Sequence, residues 1–397
     1  MSLGRALKNP DSVVSRFIDT RWPNWDGYRR EVRTHMAQAA TLKPSVPVPG
    51  GHWSLVGTAI DYRIRYYFSI TPSEELIAYK ALGRAVKSWT DRFHPYSNTP
   101  DESDAGDETF ELDCQRSEEL IGAYWKFFNN LQDFLKTVKP IRQRLSTDKE
   151  RLLAQYCGVL ARLDAYFRSH KYAILAPVNE AALRGHRKLL ALTTDSEVED
   201  ICILSKLFYK QHAALTKQPA VLNPEFAGSA IVGGADGDLI VGNTLIDIKT
   251  ALHYQESKKW FRQLIGYALL DFHDEYKITT VGLYLARQGL LLSWPLEQIT
   301  RDSRTVGKAE RFSDIRLHFR RALRKNAGMA MRDWSDLWEA EHGGPAARGT
   351  TPRQGMELVG ELRAQHSRAV RKAIAPIQVR SRRKRRGRGR PFSDLVD

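Results

Sequence analysis

A short stretch of the sequence holds three aspartates and one lysine among glycines and isoleucines: Asp236, Asp238, Asp247 and Lys249. If the fold brings these side chains together, the carboxylates repel one another unless a cation neutralises them. Carboxylate oxygens suit Mg²⁺ or Mn²⁺, which keep several of their waters and share their coordination with phosphate groups. The residue types therefore predict a divalent-metal site that acts on a phosphate-containing substrate.

A β-hairpin is predicted to bring the four residues onto one face. Gly242-Asn243 separates two apolar runs, and glycine readily adopts the positive φ that a two-residue turn needs. A turn at that point fixes the pairs Val241–Thr244, Asp238–Asp247 and Asp236–Lys249. Directly opposed residues project from the same face of a hairpin, so the charged side chains are predicted to meet.

The simpler alternative is a solvated ion pair, which would be the better interpretation of an isolated Asp-X-Lys. Here Ile246 and Ile248 alternate with the charged residues. That alternation predicts a strand whose other face is buried. The longer pattern therefore favours the metal site over a surface ion pair.

These residues resemble the signature of the PD-(D/E)XK nuclease superfamily, an acidic residue on one strand and Asp-X-Lys on the next. In the predicted helix 256–273, Gln263 and Tyr267 lie one turn apart, and a Gln-X-X-X-Tyr pair at this place resembles the RecB-like branch. The pair is equally consistent with a core tyrosine and a surface glutamine. The family's Pro-Asp dipeptide is replaced by Gly237-Asp238, and the resemblance covers about residues 225–295.

The resemblance implies a role for each residue of the hairpin. Asp238 and Asp247 would hold the metal ion, with the carbonyl of Ile248 as a third ligand. Lys249 would orient or help to deprotonate the attacking water and offset charge developing at phosphorus. Asp236 would be an additional acid, either behind the ligands or a ligand in place of Asp238. The Gln-X-X-X-Tyr pair would position the substrate or the lysine.

A further RecB-like motif, a glycine followed by histidine and later glutamate on an upstream helix, has a partial counterpart here. The segment that begins at Gly57 has a similar outline, with Asp61 in place of the histidine. A full match would make Asp61 an outer metal ligand and residues 70–215 a helical insertion. One alternative is a structural helix whose Arg63 and Arg65 contact solvent or phosphate. Another takes the upstream acid from Glu199 or Asp200 on a helix nearer the core.

The elements that must position these residues change in type along the chain. Up to about residue 215 apolar residues recur every three or four positions, and after Pro219 short β-branched runs alternate with glycines. An acidic, turn-rich segment at 99–113 predicts a solvated loop. The predicted helices are 74–89, 118–138, 152–167, 198–209, 256–273 and 309–325, and the predicted strands are 228–241, 244–250, 278–285 and 289–293.

This pattern predicts an α/β (α+β) fold. The resemblance implies a restriction-endonuclease-like core, with a mixed central sheet flanked by helices. The predicted domains are a mainly helical region at 1–215, the nuclease core with its following helices at 216–342, and a linker with a basic tail at 343–397.

The net charge of +15 on 397 residues is concentrated in that tail, where 14 basic and 4 acidic residues account for +10. Like charges at this density cannot bury a core, so the tail is predicted to be disordered. Its end resembles an AT-hook, a segment that lies in the narrow minor groove of A·T-rich DNA. Phe392 stands where that motif has a basic residue, so a general phosphate-binding arm is the alternative. The predicted DNA-binding residues are Arg382, Arg383, Lys384, Arg385, Arg386, Arg388, Gly389, Arg390 and Pro391.

Other features exclude several classes of protein. No apolar run approaches the roughly 20 residues of a membrane span, and the three cysteines match no metal-binding spacing. The sequence thus predicts an Mg²⁺- or Mn²⁺-dependent deoxyribonuclease in the bacterial cytoplasm, associated with the nucleoid. Expected roles are defence against foreign DNA, with partner proteins in a multi-component system, or DNA repair and recombination. The alternative is a non-catalytic protein that binds DNA on a nuclease-like scaffold.

Overall fold

The computed structural model describes residues 2–45, 51–81, 107–138, 145–169, 171–304 and 310–327. The chain divides into two compact units, Met1–Leu323 and Arg324–Asp397. The predicted linker and AT-hook-like tail at 343–397 lie outside the described residues. Within the described ranges, no helix has both the length and the apolar character needed to cross a membrane.

Helices dominate the first unit. Apolar residues repeat along them at helical spacing, and several begin at residues that cap a helix, such as Ser2, Ser12 and Thr194. The helices are α1 (Leu3–Lys8), α2 (Val13–Arg21), α3 (Asp26–Gln38), α4 (His52–Phe68), α5 (Asp107–Thr137), α6 (Thr147–Ser169), α7 (Tyr172–Leu183), α8 (His186–Leu190), α9 (Asp195–His212), α10 (Ser257–Leu270), α11 (Leu296–Arg301) and α12 (Phe312–Ala327).

Two predictions about the helical region need correction. The predicted helix 74–89 is replaced at its start by a 3₁₀ turn at Ser73–Glu75, residues 77–81 are helical, and the rest lies outside the described residues. The predicted acidic loop is helical from Asp107 onward. Acidic residues in a first helical turn are stabilised by the helix dipole, so the acidic composition there is compatible with a helix start.

A five-stranded mixed sheet lies at the centre of the unit, which confirms the predicted mixed α/β architecture. Its strands are β1 (Ala220–Leu222), β2 (Leu239–Val241), β3 (Thr244–Lys249), β4 (Thr280–Leu285) and β5 (Leu290–Pro295). They lie side by side in chain order, and all neighbours are antiparallel except β3 and β4. A parallel pair needs a crossover connection, and helix α10 provides it.

The hairpin of β2 and β3 has the predicted register. Val241 pairs with Thr244 and Leu239 with Ile246, and Gly242 at the turn has a φ of 56°. However, the predicted strand 228–241 is mostly not a strand. A 3₁₀ turn occupies Ala230–Val232, and the two glycines that follow it have positive φ. These backbone turns redirect the chain, so the β2–β3 pairing ends at Leu239.

Helices cover both faces of the sheet. Helices α4, α6 and α9 pack together, and their apolar core continues onto Leu239, Val241, Ile246, Ile248 and Tyr284 of the sheet. Helix α10 packs on the opposite face, where α1, α2 and α3 contact it. Because strand side chains alternate between faces, Asp247 and Lys249 lie on the α10 side while their isoleucine neighbours join the helical core.

Candidate metal centre

Asp238 and Asp247 lie where the β2–β3 ladder ends. Asp238 directly precedes β2, and its Oδ2 accepts a 2.7 Å hydrogen bond from the backbone N–H of Ile248. The aspartate side chain thus takes the place of the next ladder bond. Since the N–H and C=O of one strand residue point toward the same neighbour, the Ile248 carbonyl also faces this side of β3. The predicted ligands therefore come together at one point.

The Asp247 carboxylate is almost completely buried, with a side-chain exposure of 1%. Although Lys249 Nζ lies 2.5 Å from Asp247 Oδ2, neither carboxylate oxygen has a partner with hydrogen-bond geometry among the described residues. A buried carboxylate without such partners is costly. Lys249 thus offsets the charge of Asp247, but among the described residues no donor holds either carboxylate oxygen in a well-aligned hydrogen bond.

The pKa values of Asp247 and Lys249 reflect this burial. Burial raises the pKa of the Asp247 carboxyl to about 7, with Lys249 lowering it and Asp238 raising it further. Burial alone would lower the pKa of the Lys249 ammonium, but Asp247 and Asp238 outweigh it and hold that pKa above its usual value. Lys249 is therefore a cation at neutral pH.

Helix α10 positions Lys249 through the two residues predicted from the Gln-X-X-X-Tyr spacing. Lys249 Nζ donates to Gln263 Oε1 at 3.3 Å, and Gln263 Nε2 donates to the Tyr267 hydroxyl at 2.7 Å. Each contact fixes the next, since a glutamine amide that donates to the tyrosine presents its oxygen to the lysine. The structure thus brings Gln263 and Tyr267 to the candidate site. Gln263 contacts Lys249, so it is not a surface glutamine without a role in the fold.

The upstream acid that lies closest to the site is Asp61 on α4. A Cβ at Gly57 would lie 2.8 Å from Thr250 Oγ1, so the glycine allows the helix to pass close to the end of β3. One turn later, Asp61 is close enough to Asp238 for the two charges to repel, and burial with that repulsion raises the pKa of Asp61 to about 7 despite Arg65. Asp61 forms a two-contact ion pair with Arg65.

The two other candidate acids are not at the site. Asp200 is buried and accepts hydrogen bonds from both terminal nitrogens of Arg287, at 3.0 and 2.7 Å, and contacts His52 Nε2 at 2.8 Å. Its carboxylate is thus fully engaged in an internal network. Glu199 is exposed. Of the alternatives weighed from the sequence, only Asp61 faces the candidate ligands.

Asp236 does not pair with Lys249, and that part of the predicted hairpin is wrong. Its backbone forms an isolated bridge with Glu225, because the chain turns away from β3 before reaching Asp238. Burial raises the pKa of Asp236, and the charge that most offsets it belongs to Arg168 of α6. The charged groups around Asp236 therefore differ from those around the Asp247–Lys249 pair.

The residues present fit a divalent cation at Asp238 and Asp247. They offer carboxylate oxygens, a backbone carbonyl on the same side, and a buried carboxylate that lacks hydrogen bonds. Within the described ranges, however, no three side chains of Asp, Glu, His or Cys converge closely enough to hold a metal. The candidate centre thus rests on two acids, and Asp61 is not arranged as a third.

Sequence reasoning placed Arg65 in contact with solvent or phosphate and did not predict its pairing with Asp61. The available signal was spacing, because Gly57, Asp61 and Arg65 recur every four residues and share one helix face.

Comparisons of the chain with protein-family models, with curated proteins and with solved structures find no match.

Proposed function

We propose that the protein is a metal-dependent DNA nuclease that hydrolyses phosphodiester bonds on a PD-(D/E)XK-like core. The observation that carries the proposal is the Asp247 carboxylate, which is buried in an ion pair with Lys249 and lies close enough to Asp238 for the two acids to repel. With Asp238 beside it, the Asp247–Lys249 pair has a second acid and one negative charge in excess. It is suited to a cation and a phosphate.

Each residue has a function in this proposal. Asp238, Asp247 and the carbonyl of Ile248 would hold Mg²⁺ or Mn²⁺. When bound, that ion would acidify a water molecule and polarise the phosphoryl oxygen. Lys249, kept protonated by its neighbours, would donate to the negative charge that develops at phosphorus. Gln263 would hold the lysine in place.

DNA is the proposed substrate because the chain has a large excess of positive charge. The +15 net charge is concentrated in residues 343–397, beyond the part of the chain that the structure describes. Such a basic segment binds phosphates regardless of sequence and makes affinity strongly dependent on salt. Defence against foreign DNA and DNA repair are the proposed biological settings.

A cleavage assay tests the proposal directly. The purified full-length chain should degrade DNA in Mg²⁺ or Mn²⁺ and stop when chelator is added, and Asp247→Asn and Lys249→Ala should be inactive. Asp133 and Lys136 form a surface ion pair with side-chain exposures of 71% and 66%, so Asp133→Asn and Lys136→Ala are matched controls that should cleave normally. DNA binding without cleavage would favour the non-catalytic alternative.

The tail is tested separately from the chemistry. Deleting residues 376–397 removes eight basic residues and should weaken DNA binding and reduce its dependence on salt. Cleavage of a short duplex at saturating enzyme should persist. An unchanged slope of log affinity against log salt would show that the tail does not bind phosphates.

A further inference from the structure

We infer that Arg65 occupies the place of a second metal ion: it binds Asp61 and restricts the site to one divalent cation, held by Asp238 and Asp247. This inference rests on the proposed function, because it presumes that those two aspartates bind a metal. It assigns a positioning role to a residue that neither the Asp-X-Lys motif nor the Gln-X-X-X-Tyr pair includes.

The geometry of α4 places a fixed cation beside the site. Arg65 Nε donates to Asp61 Oδ1 at 3.0 Å, and a terminal nitrogen contacts Asp61 Oδ2. The guanidinium carbon also lies 5.2 Å from the centre of the Tyr62 ring. A two-contact pair with a ring beside it holds a guanidinium more firmly than a single contact would. The side chains of Arg65 and Asp61 are only 8% and 14% exposed.

The nearest charged neighbours leave Asp61 no other strong partner. The acids near it are Asp238 and Asp164, and both repel it. Asp164 is already engaged, because it accepts a 3.1 Å hydrogen bond from Tyr62 and a 2.5 Å hydrogen bond from Arg168. Among the described residues, Arg65 is the cation that pairs directly with Asp61, and the charge of Lys249 also interacts with it.

The charge balance then favours one metal ion over two. Asp61, Asp238 and Asp247 carry three negative charges when ionised, and Arg65 and Lys249 carry two positive charges, so one negative charge remains. One divalent cation changes that net charge from −1 to +1. A second would leave a large positive excess in a buried site, since a guanidinium cannot lose its proton in a protein. Consistent with this, no three acidic side chains converge as a metal-binding group in the described ranges.

The charge of Arg65 also lies where it is useful to the proposed reaction. It is close enough to Asp238 for the two charges to interact. A permanent cation near a metal-binding aspartate stabilises negative charge on a bound phosphate without the need to recruit another ion. The positive charge of Arg65 would therefore always be present, whereas a second metal ion would supply its charge only at high metal concentration.

Mn²⁺ titration of the full-length chain tests the inference, with sites counted by calorimetry and by electron paramagnetic resonance. Only sites that disappear in the same protein carrying Asp247→Asn are counted, which removes binding elsewhere on the chain. The wild type should have one such site. Arg65→Gln should have two, because Asp61 is released, whereas Arg65→Lys should keep one.

A double variant separates release of Asp61 from a simple change in charge. Asp61→Asn combined with Arg65→Gln should return the count to one, since no acid is left to release. A count of two in the wild type, or of one in folded Arg65→Gln, overturns the inference. If Arg65→Gln does not fold, a wild-type count of two still overturns the inference. If the wild type has no Mn²⁺ site that depends on Asp247, the proposed metal function fails as well.

Discussion

Arg63 and Arg65 belong to the same helix but to two different kinds of charge cluster. Two residues turn a helix by about 200°, so the two side chains point in nearly opposite directions. Arg63 forms two hydrogen bonds to Glu150, at 2.7 and 2.9 Å, and Ser205 donates a third to the same carboxylate at 2.7 Å. Arg65 faces the candidate site, where carboxylates outnumber cations.

Partners, rather than burial, distinguish the two clusters. Burial alone would raise the pKa of Glu150, but hydrogen bonds and charge from Arg63 bring it below the usual value. The same burial raises the pKa of Asp247 to about 7, because Asp238 opposes what Lys249 contributes. A structural pair satisfies its carboxylate, whereas a binding site keeps one in excess for a ligand. The comparison separates a buried carboxylate whose charge is satisfied, Glu150, from one whose charge is only partly offset, Asp247.

The largest effect should come from Asp247→Asn. If Asp247 binds the metal as proposed, removing its carboxylate should reduce DNA cleavage by about 10³-fold or more, as the loss of a key electrostatic group does. Removal of an unsatisfied buried charge should leave the unfolding temperature in chelator unchanged or higher. Cleavage rates and thermal unfolding at pH 8 measure both. A strong loss of stability would place Asp247 in the structural class with Glu150.

Glu150→Gln should have the opposite outcome. It leaves the buried Arg63 guanidinium without a countercharge, which should lower the free energy of unfolding by about 3–5 kcal/mol. The folded fraction should still bind Mn²⁺ with normal affinity, because Glu150 lies away from the candidate ligands. Urea denaturation and Mn²⁺ titration measure the two quantities, with Asp133→Asn as the control for loss of an exposed acid.

The sequence predicts the part of the site that local geometry controls. A two-residue turn at Gly242 sets the register, and the register brings Asp238 to Asp247. The four-residue spacing of Gln263 and Tyr267 likewise puts them on one helix face. Asp236 was misplaced because the backbone turns before β2, which strand periodicity cannot reveal. The pairing of Asp61 with Arg65 follows from their four-residue spacing, but the closeness of Asp61 to Asp238 depends on how α4 packs against the sheet.

The pH dependence of stability should also separate the clusters. The pKa values of Asp61 and Asp247 are raised to about 7, so their contribution to stability is complete below their ordinary values and is lost as pH rises through 7. The pKa of Glu150 is lowered, so the stability that Glu150 contributes has the opposite pH dependence. It is lost only as pH falls below the ordinary pKa of a glutamate. Between pH 5 and 7 in chelator, the wild type should lose about 1.4 kcal/mol of stability per pH unit for each of these two groups, and the slope should level off by pH 8.

Thermal unfolding of the wild type and Asp247→Asn across that range isolates the effect, since every other titrating group is common to both proteins. The variant should have the shallower slope. Saturating Mg²⁺ should flatten the wild-type curve, because the metal replaces the proton at high pH. Parallel curves for the two proteins would mean that Asp247 titrates as an ordinary surface acid.

The smallest effect should come from the residues that orient Lys249. Gln263→Ala removes the acceptor at 3.3 Å from Nζ and should lower kcat roughly tenfold, the scale of losing a group that supports a metal-site residue. Tyr267→Phe keeps the glutamine but removes the hydroxyl that fixes its amide, so its effect should be weaker. DNA affinity should not change in either variant.

Gln263→Glu provides the internal check, because its carboxylate still accepts from Lys249 and should restore most of the lost rate. Gln132 donates to the Thr71 carbonyl elsewhere in the fold, so Gln132→Ala is the matched control and should be fully active. If all three glutamine variants lose activity equally, the loss reflects packing. If only Gln263→Ala loses activity, the candidate site depends on an oriented Lys249. The Arg63–Glu150 pair has no such requirement.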